Sequence, residues 1–426
     1  MSIVQVNADD GIGGAARACY RLHRGLIDHG LESRLVVRVK TRDDPTVFGP
    51  TGFLSDAWAR MRPFVAQPLF RLHGGPRSGV HSLNVVRSGL PARIASLRPE
   101  LVHLHLISRE TMSIAEVGRI KAPLVWTFHD MWAFAGTEHY PEPETHTRFQ
   151  GGYLANEGGI DLSRWTWRRK QRHWNTGAMT IVTPSRWMGD CVANSRLFEG
   201  ARVEVIPNGI DTNQFKPLDR SFARQALNLP QDPPLILFGA MNATSDRRKG
   251  FDLLMEALGR VAANTVGPKP ELLVFGSSGH AGGPDYGLKT HFAGRVQDAS
   301  SLALLYAASD VFVAPSRQDN LPNTIVETLA SGTPAVAFNI GGMPDMIDHQ
   351  QNGFLAQPFD AAELAAGISW VLATNAESGR LREAARKKVE DTFTIGHQVR
   401  ACTALYEDLL DRPLRQQEVP GAASVV

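Results

Sequence analysis

The 426-residue chain has only three cysteines, Cys19, Cys191 and Cys402, with neither CxxC spacing nor an even count. That excludes a disulfide framework, argues against a structural zinc site, and suits a reducing cytoplasm. Net charge is sparse as well. Lys plus Arg is 45 and Asp plus Glu is 43, which leaves +2, too little to bind nucleic acid by bulk charge. Long apolar runs are missing. A spanning helix takes about 20 apolar residues, and the uncharged stretch 328–344 is broken by Ser331, Gly332, Pro334, Gly341 and Gly342, so no integral membrane segment is expected. The start, Met1-Ser2-Ile3-Val4-Gln5-Val6, runs into a glycine-rich turn without a basic flank or a long apolar segment. No signal peptide is expected from it.

What the chain does have is material for sizeable cores, 43% hydrophobic and 21% charged residues, enough for two or three domains at about 150 residues each. Short apolar runs alternate with longer amphipathic ones, the rhythm of parallel β/α units. In the first half the strand candidates are Ile3 to Val6, Ser33 to Val39, Leu101 to Leu104, Leu124 to Phe128, Met179 to Thr183 and Val203 to Ile206, with a helix over Ala15 to Asp28 stopped by Gly30. The rhythm breaks at Pro207-Asn208-Gly209-Ile210-Asp211. It restarts with Leu235 to Gly239 and continues through Glu271 to Phe275, Val311 to Ala314 and Ala335 to Phe338. The expected fold class is therefore α/β, with two Rossmann-like doubly wound domains over 1–210 and 211–393. A helix over 394–411 is expected to pack back on the first domain, and the tail 412–426 to be disordered. Open parallel sheets bind ligands at the carboxyl ends of their strands, so function is sought in those loops.

Four loops stand out. Asp9-Asp10-Gly11-Ile12-Gly13-Gly14 follows a strand and opens a helix, so the amides of Gly13 and Gly14 suit either an anion or merely a tight turn. Arg247-Arg248-Lys249-Gly250 is either a solvated basic loop or a seat for a diphosphate. In Pro315 to Glu327, Pro322 suits the first turn of a helix whose amides at Asn323 and Thr324 face the strand ends. There Asp319 is either an ordinary cap or a ligand acceptor. Thr127-Phe128-His129-Asp130 follows an apolar strand, and a neutral His129 would donate to a sugar hydroxyl or phosphate, with His103 and His105 thickening the cluster. No carboxylate or cysteine set completes a metal site around these histidines. The segments Trp58 to Arg77 and Trp165 to Trp174 mix cations with aromatics, and suit either an anionic lipid surface or core tryptophans beneath a solvated face.

Seven strings in order resemble the retaining GT-B glycosyltransferases of family 4, bacterial exopolysaccharide-type branch: Gly13-Gly14, Trp126 to Trp132, Thr183 to Trp187, Ile206 to Asp211, Arg248 to Asp252, Asp319 to Glu327, and Gly341 to Asp345. The resemblance implies metal-independent transfer of a sugar from a nucleotide diphosphate sugar to a hydroxyl of a lipid-linked or polysaccharide acceptor, with no resident cofactor. It places His129, Arg248, Lys249, Asp319 and Glu327 in the catalytic set. Gly13, Gly14, Arg247, Arg295, Val296, Asn320, Leu321, Asn323 and Thr324 fall on the donor, and His105, Asp130 and Glu138 on the acceptor side. Glu327 would hold the ribose and the Arg295-Val296 backbone the base. The family's first acid is Asp319 here, one methylene shorter than Glu, and the usual Arg six residues before Lys249 is Ala243, so Arg247 or Arg248 would supply that charge. The cysteine cluster many relatives carry is absent from Tyr140 to Asn156. A cytoplasmic enzyme, peripheral on the inner membrane face, is the expectation. A soluble sugar or sugar-phosphate synthase, or a non-catalytic nucleotide-sugar binder of the same fold, are the alternatives.

Overall fold

The computed structural model describes residues 2–75, 79–141, 147–154, 159–239, 246–265, 267–276, 287–296 and 298–412. It divides into two compact units, one formed by Met1–Gly209 with the chain from Ile395 onward, the other by Ile210–Thr394. Within the described residues the first unit holds strands β1 (Ser2–Asp9), β2 (Glu32–Val39), β3 (Val47–Phe48), β4 (Leu101–Leu104), β5 (Leu124–Thr127), β6 (Met179–Thr183) and β7 (Arg202–Val205). They pair in parallel in the order β3-β2-β1-β4-β5-β6-β7. The second unit holds β8 (Leu235–Gly239), β9 (Glu271–Phe275), β10 (Thr290–Gly294), β11 (Val311–Ala314), β12 (Ala335–Phe338) and β13 (Gly353–Ala356). Their order is β10-β9-β8-β11-β12-β13, again all parallel.

Sheets covered on both faces need apolar residues at successive positions rather than alternate ones. In β8 to β12 the two faces divide by pleat. Leu237, Leu273 and Phe312 enter one core cluster, while Ile236, Phe238, Leu272, Val274, Val311 and Val313 enter the other. The sequence does not announce β3, β10 and β13, and each is a sheet edge. Edge strands lack one lateral neighbour, and β10 shows no fully buried residue. In both sheets the chain order reverses beside the first strand, between β1 and β4 and between β8 and β11. Such switch points are where loops diverge and leave room for a ligand.

The helix Ile395–Leu410 closes the first unit. Its Val399, Cys402, Leu405 and Tyr406 join Ile3, Leu22, Leu26 and Leu101 in one buried cluster. The approach to the helix Gly14–Asp28 is close: a Cβ on Gly25 would stand 2.5 Å from Ile395 Cγ2. Tyr406 reaches the sheet as well, since its hydroxyl lies 2.6 Å from His103 Nδ1, and His103 Nε2 is 2.7 Å from Thr127 Oγ1. Burial, followed by the charge of His129, pushes His103 from the ordinary 6.5 down to about 3. The folded value lies below the unfolded one, so the unfolded chain takes the proton first. The stability His103 contributes is present above pH 6.5 and is lost as pH falls toward 3, by about 3 kcal/mol at pH 4. Denaturant unfolding between pH 7 and 4 will therefore show a steeper loss for the wild-type chain than for His103→Gln. Parallel curves would mean that His103 titrates normally.

Candidate active site

The second unit's site is built at the carboxyl ends of β8 and β11. Arg247–Lys249 forms a single 3₁₀ turn, begun by Asp246, whose carboxylate accepts from the Arg248 amide at 3.0 Å and pairs with the Arg248 guanidinium at 3.2 Å. The turn ends at Gly250, with φ +67°, where a Cβ would lie 1.8 Å from the Pro315 carbonyl oxygen. Only glycine admits both that dihedral and that contact. The loop after β11 is stitched to the same turn: Arg317 donates its amide to the Arg248 carbonyl at 2.7 Å, and Arg248 donates to the Gln318 carbonyl at 3.0 Å. Gly341, φ +53°, makes room on the other side, because a Cβ there would meet the Asp319 carbonyl at 2.1 Å.

These clamps hold Asp319 between two cations. Its Oδ2 is 2.7 Å from Lys249 Nζ and 3.6 Å from Arg248 NH1. Burial alone would raise the Asp319 pKa, but Lys249 and Arg248 outweigh it and hold the carboxyl below the ordinary carboxylate range. Asp246 holds the same guanidinium from the other side, so Lys249, Asp319, Arg248 and Asp246 form one chain of ion pairs with two cations and two carboxylates. Pro322 proves to be the residue before the helix rather than its first turn, and the helix runs Asn323–Ala330 with no acid in its opening turn. Lys249, Asp319, Pro322 and Thr324 line one pocket with Gly239 and Ser316. An oxyanion there would meet both an ammonium and the positive end of a helix.

Other expected donor residues stand differently. Glu327 is buried and accepts from the Tyr306 hydroxyl at 3.0 Å, and it is not one of the residues lining that pocket. Leu321 turns its apolar side chain into the core with Ile325 and Leu329, and buried Asn320 gives its amide to Asp319 Oδ1. Arg247 is exposed, and its carbonyl accepts from Arg317. Arg295 is exposed past the end of β10, and Val296 packs on the core. Ala243 lies outside the described residues. Asp246, Arg317 and Tyr306 were not singled out from the sequence. The aspartate directly before a basic run is a capping signal that would have marked the first of them.

In the first unit, Gly13 precedes the helix Gly14–Asp28 with φ +89°, and that helix has neither a side-chain cap nor an acid in its first turn. Asp9 instead organises the loop, accepting from the amides of Gly11 and Ile12 at 3.0 and 2.6 Å. His129 lies past β5 with its Nε2 3.1 Å from His105 Nδ1. Burial drives its pKa down to about 4, although Asp130 pulls the other way. The acceptor-side candidates are engaged internally. Asp130 pairs with His139 at 2.6 Å, Glu138 accepts from Tyr153 at 3.1 Å, and His105 is buried beneath His129. No group of three or more metal-ligating side chains occurs among the described residues.

The aromatic segments divide. In the helix Leu162–His173, Trp167 and Lys170 are buried, as is Trp174 just beyond it. Lys170 donates to the carbonyls of Trp132, Ala135 and Gly136, and Arg169 donates to the carbonyls of Leu83 and Asn84. Of the two readings open for Trp165 to Trp174, Trp167 and Trp174 follow the one with core tryptophans, and Lys170 is buried with them, while Trp165 and Arg168 stay exposed. The other segment is a helix, Phe53–Phe70, that buries only Ala59, Arg62 and Ala66. It leaves Phe53, Leu54, Trp58, Met61, Phe64, Val65 and Leu69 in solvent. Residues 76 and 77 of that segment lie outside the described residues. The missing amide of Pro63 is compensated: the Ala59 carbonyl accepts from Arg38 at 3.0 Å instead.

Residues 12–214 match the family Glycosyltransferase Family 4, and residues 232–374 match Glycosyl transferases group 1. A solved sucrose-phosphate synthase from Thermosynechococcus elongatus superposes with a TM-score of 0.68 at 20% identity, covering 96% of this chain and 99% of its own. Anabaena Alr3699/HepE, solved in complex with UDP-glucose, gives 0.62 at 17% identity over 96% of this chain and 100% of its own. The chain has the GT-B glycosyltransferase fold. A D-inositol 3-phosphate glycosyltransferase from Geodermatophilus obscurus is 30% identical over 241 residues, 52% of this chain and 51% of that protein. One from Mycobacterium marinum is 30% identical over 220 residues, 48% of this chain and 45% of that one. This chain thus spans about half the length of the curated relatives it matches.

The glycine clamp of this GT-B chain is testable without substrate. Gly250→Ala should destabilise it by about 1–3 kcal/mol, the range for a strained non-glycine backbone, and more if Pro315 cannot yield. An unchanged denaturation midpoint would show that the loop has other seats.

Proposed function

We propose that the chain is a glycosyltransferase that moves a sugar from a nucleotide diphosphate sugar to an acceptor hydroxyl, with retention of anomeric configuration and without a metal. The observation that carries this reading is the Lys249–Asp319–Arg248 cluster, which sits at the switch point of the unit matching the group 1 family. When the sugar–phosphate bond breaks, negative charge develops on the leaving diphosphate. Lys249, Arg248 and the start of the helix Asn323–Ala330 are preorganised to stabilise it. On this reading Asp319 gives up Lys249 to the diphosphate and turns to a sugar hydroxyl, while Glu327 takes the ribose. The leaving phosphate itself accepts the acceptor proton on the same face, so no protein base is assigned.

Calorimetric binding of UDP separates charge from folding. Removing the cation in Lys249→Met should weaken binding about 10- to 100-fold, the loss of one charge-assisted hydrogen bond. Asp319→Asn should leave it equal or tighter, because a competing carboxylate is gone. Equal weakening by both substitutions would mean that the cluster is structural.

For the acceptor, the helix Phe53–Phe70 favours a lipid-linked molecule at an anionic membrane surface. Its outward face carries Phe53 at 85% exposure and Leu54 at 82%, with Arg60 and Arg71 among the exposed residues. Apolar side chains seat in the interface and arginines face lipid phosphate. No described helix is long and apolar enough to cross a membrane. The named relatives support a second reading, a small phosphorylated acceptor, since they are D-inositol 3-phosphate glycosyltransferases. Sedimentation with phosphatidylglycerol vesicles distinguishes the two. The lipid reading requires that the chain partition to the vesicles and that Trp58→Asp with Phe64→Asp weaken this by about 100-fold, from roughly 1.5 kcal/mol per lost side chain. Indifference of the chain to vesicles would favour the small acceptor.

A further inference from the structure

A continuous chain of hydrogen bonds crosses the first unit from a carboxylate to His129. Thr46 Oγ1 lies 2.5 Å from Asp44 Oδ1, and His23 Nε2 lies 2.8 Å from Thr46 Oγ1. On the other edge of that ring, His23 Nδ1 is 2.8 Å from Ser33 Oγ, which is 3.1 Å from Gln5 Nε2. Gln5 Oε1 is 3.0 Å from His105 Nε2, and His105 Nδ1 is 3.1 Å from His129 Nε2. Gln5 and His23 are wholly buried, and Ser33 and His105 nearly so.

The direction of every proton follows from the end group. A carboxylate accepts only, so the Thr46 hydroxyl donates to Asp44. With that proton spent, the Thr46 oxygen accepts from His23 Nε2–H. A neutral imidazole has one N–H, so His23 Nδ1 accepts from the Ser33 hydroxyl, and the Ser33 oxygen accepts from the Gln5 amide nitrogen. This turns the Gln5 carbonyl toward His105, which must donate from Nε2 and accept at Nδ1. The proton between the two rings therefore belongs to His129. The ionisation states agree. Burial brings His23 and His129 to about 4 and His105 well below the ordinary value. Asp44 is held low by Thr46, Tyr20 and Arg24 in spite of its own burial.

We propose that this buried relay fixes His129 as the Nε2–H tautomer, so that any group meeting Nδ1 finds an acceptor there, and that Gln5 is the positioning residue that sets it. A hydroxyl can donate to such a nitrogen, and a phosphate oxygen cannot be held by it. The donor role expected of His129 from the sequence is thereby reversed. That the ligand is a sugar rests on the transferase reading, whereas the tautomer does not.

The test is long-range ¹H–¹⁵N correlation on the full chain labelled with [¹⁵N]histidine, with His129 assigned by its loss in His129→Gln. The expected spectrum shows a protonated Nε2 and a bare Nδ1 for His129. Gln5→Met removes the acceptor, lets His105 carry its proton at Nδ1, and shifts His129 toward the Nδ1–H form, whereas Gln5→Glu retains an acceptor and the wild-type signature. A wild-type His129 protonated at Nδ1 overturns the proposal even if the variants fail to fold, and so does a folded Gln5→Met with an unchanged signature. With UDP-glucose as donor, Gln5→Met should lower kcat/KM about tenfold, the worth of one hydrogen bond, and leave UDP binding unchanged. Absence of transfer by the wild-type chain would count against the transferase reading and leave the tautomer to the spectrum.

Discussion

A carboxylate held between two cations organises the second unit's site. Asp319 reaches its place because Gly250 and Gly341 let two loops press against the backbones of Pro315 and Asp319, closer than any side chain would allow. Once there, it keeps Lys249 and Arg248 near one another when their like charges would push them apart. Asp246 closes the set on the far side of Arg248, so two cations and two carboxylates balance, and an anion entering there would compete with carboxylates for cations already gathered in place.

The first unit solves its electrostatics in the opposite way. Its strand-end histidines are neutral, His103 and His105 buried and His129 half-buried, stacked ring on ring at 4.3 Å for His103 and His105 and at 5.4 Å for His105 and His129. With no charge to balance, hydrogen bonding alone orients them, and the chain from Asp44 supplies a direction. The second unit's strand ends thus carry fixed charge, and the first unit's carry neutral rings ordered by hydrogen bonds.

Much of the fold was legible because a parallel sheet covered on both faces writes itself as uninterrupted apolar runs. Leu235 to Gly239 and Val311 to Ala314 appear in the structure with the bounds read from the sequence. Edge strands such as β10 carry no such run. The site was legible as a set of residue types at strand ends but not as contacts. The approach of Gly250 to Pro315 spans 65 positions, and no periodicity reports it. Lys170 was misplaced for a related reason. A lysine beside tryptophans reads as surface, yet three backbone carbonyls supplied by the turn after β5 satisfy it in the core.

The most direct test of the account is a crystal structure of the chain with UDP bound. The account predicts the β-phosphate within hydrogen-bond distance of Lys249 Nζ and of the first amides of the helix Asn323–Ala330, with the Lys249–Asp319 contact opened. A diphosphate bound elsewhere, with Lys249 and Asp319 still paired at 2.7 Å, would contradict it.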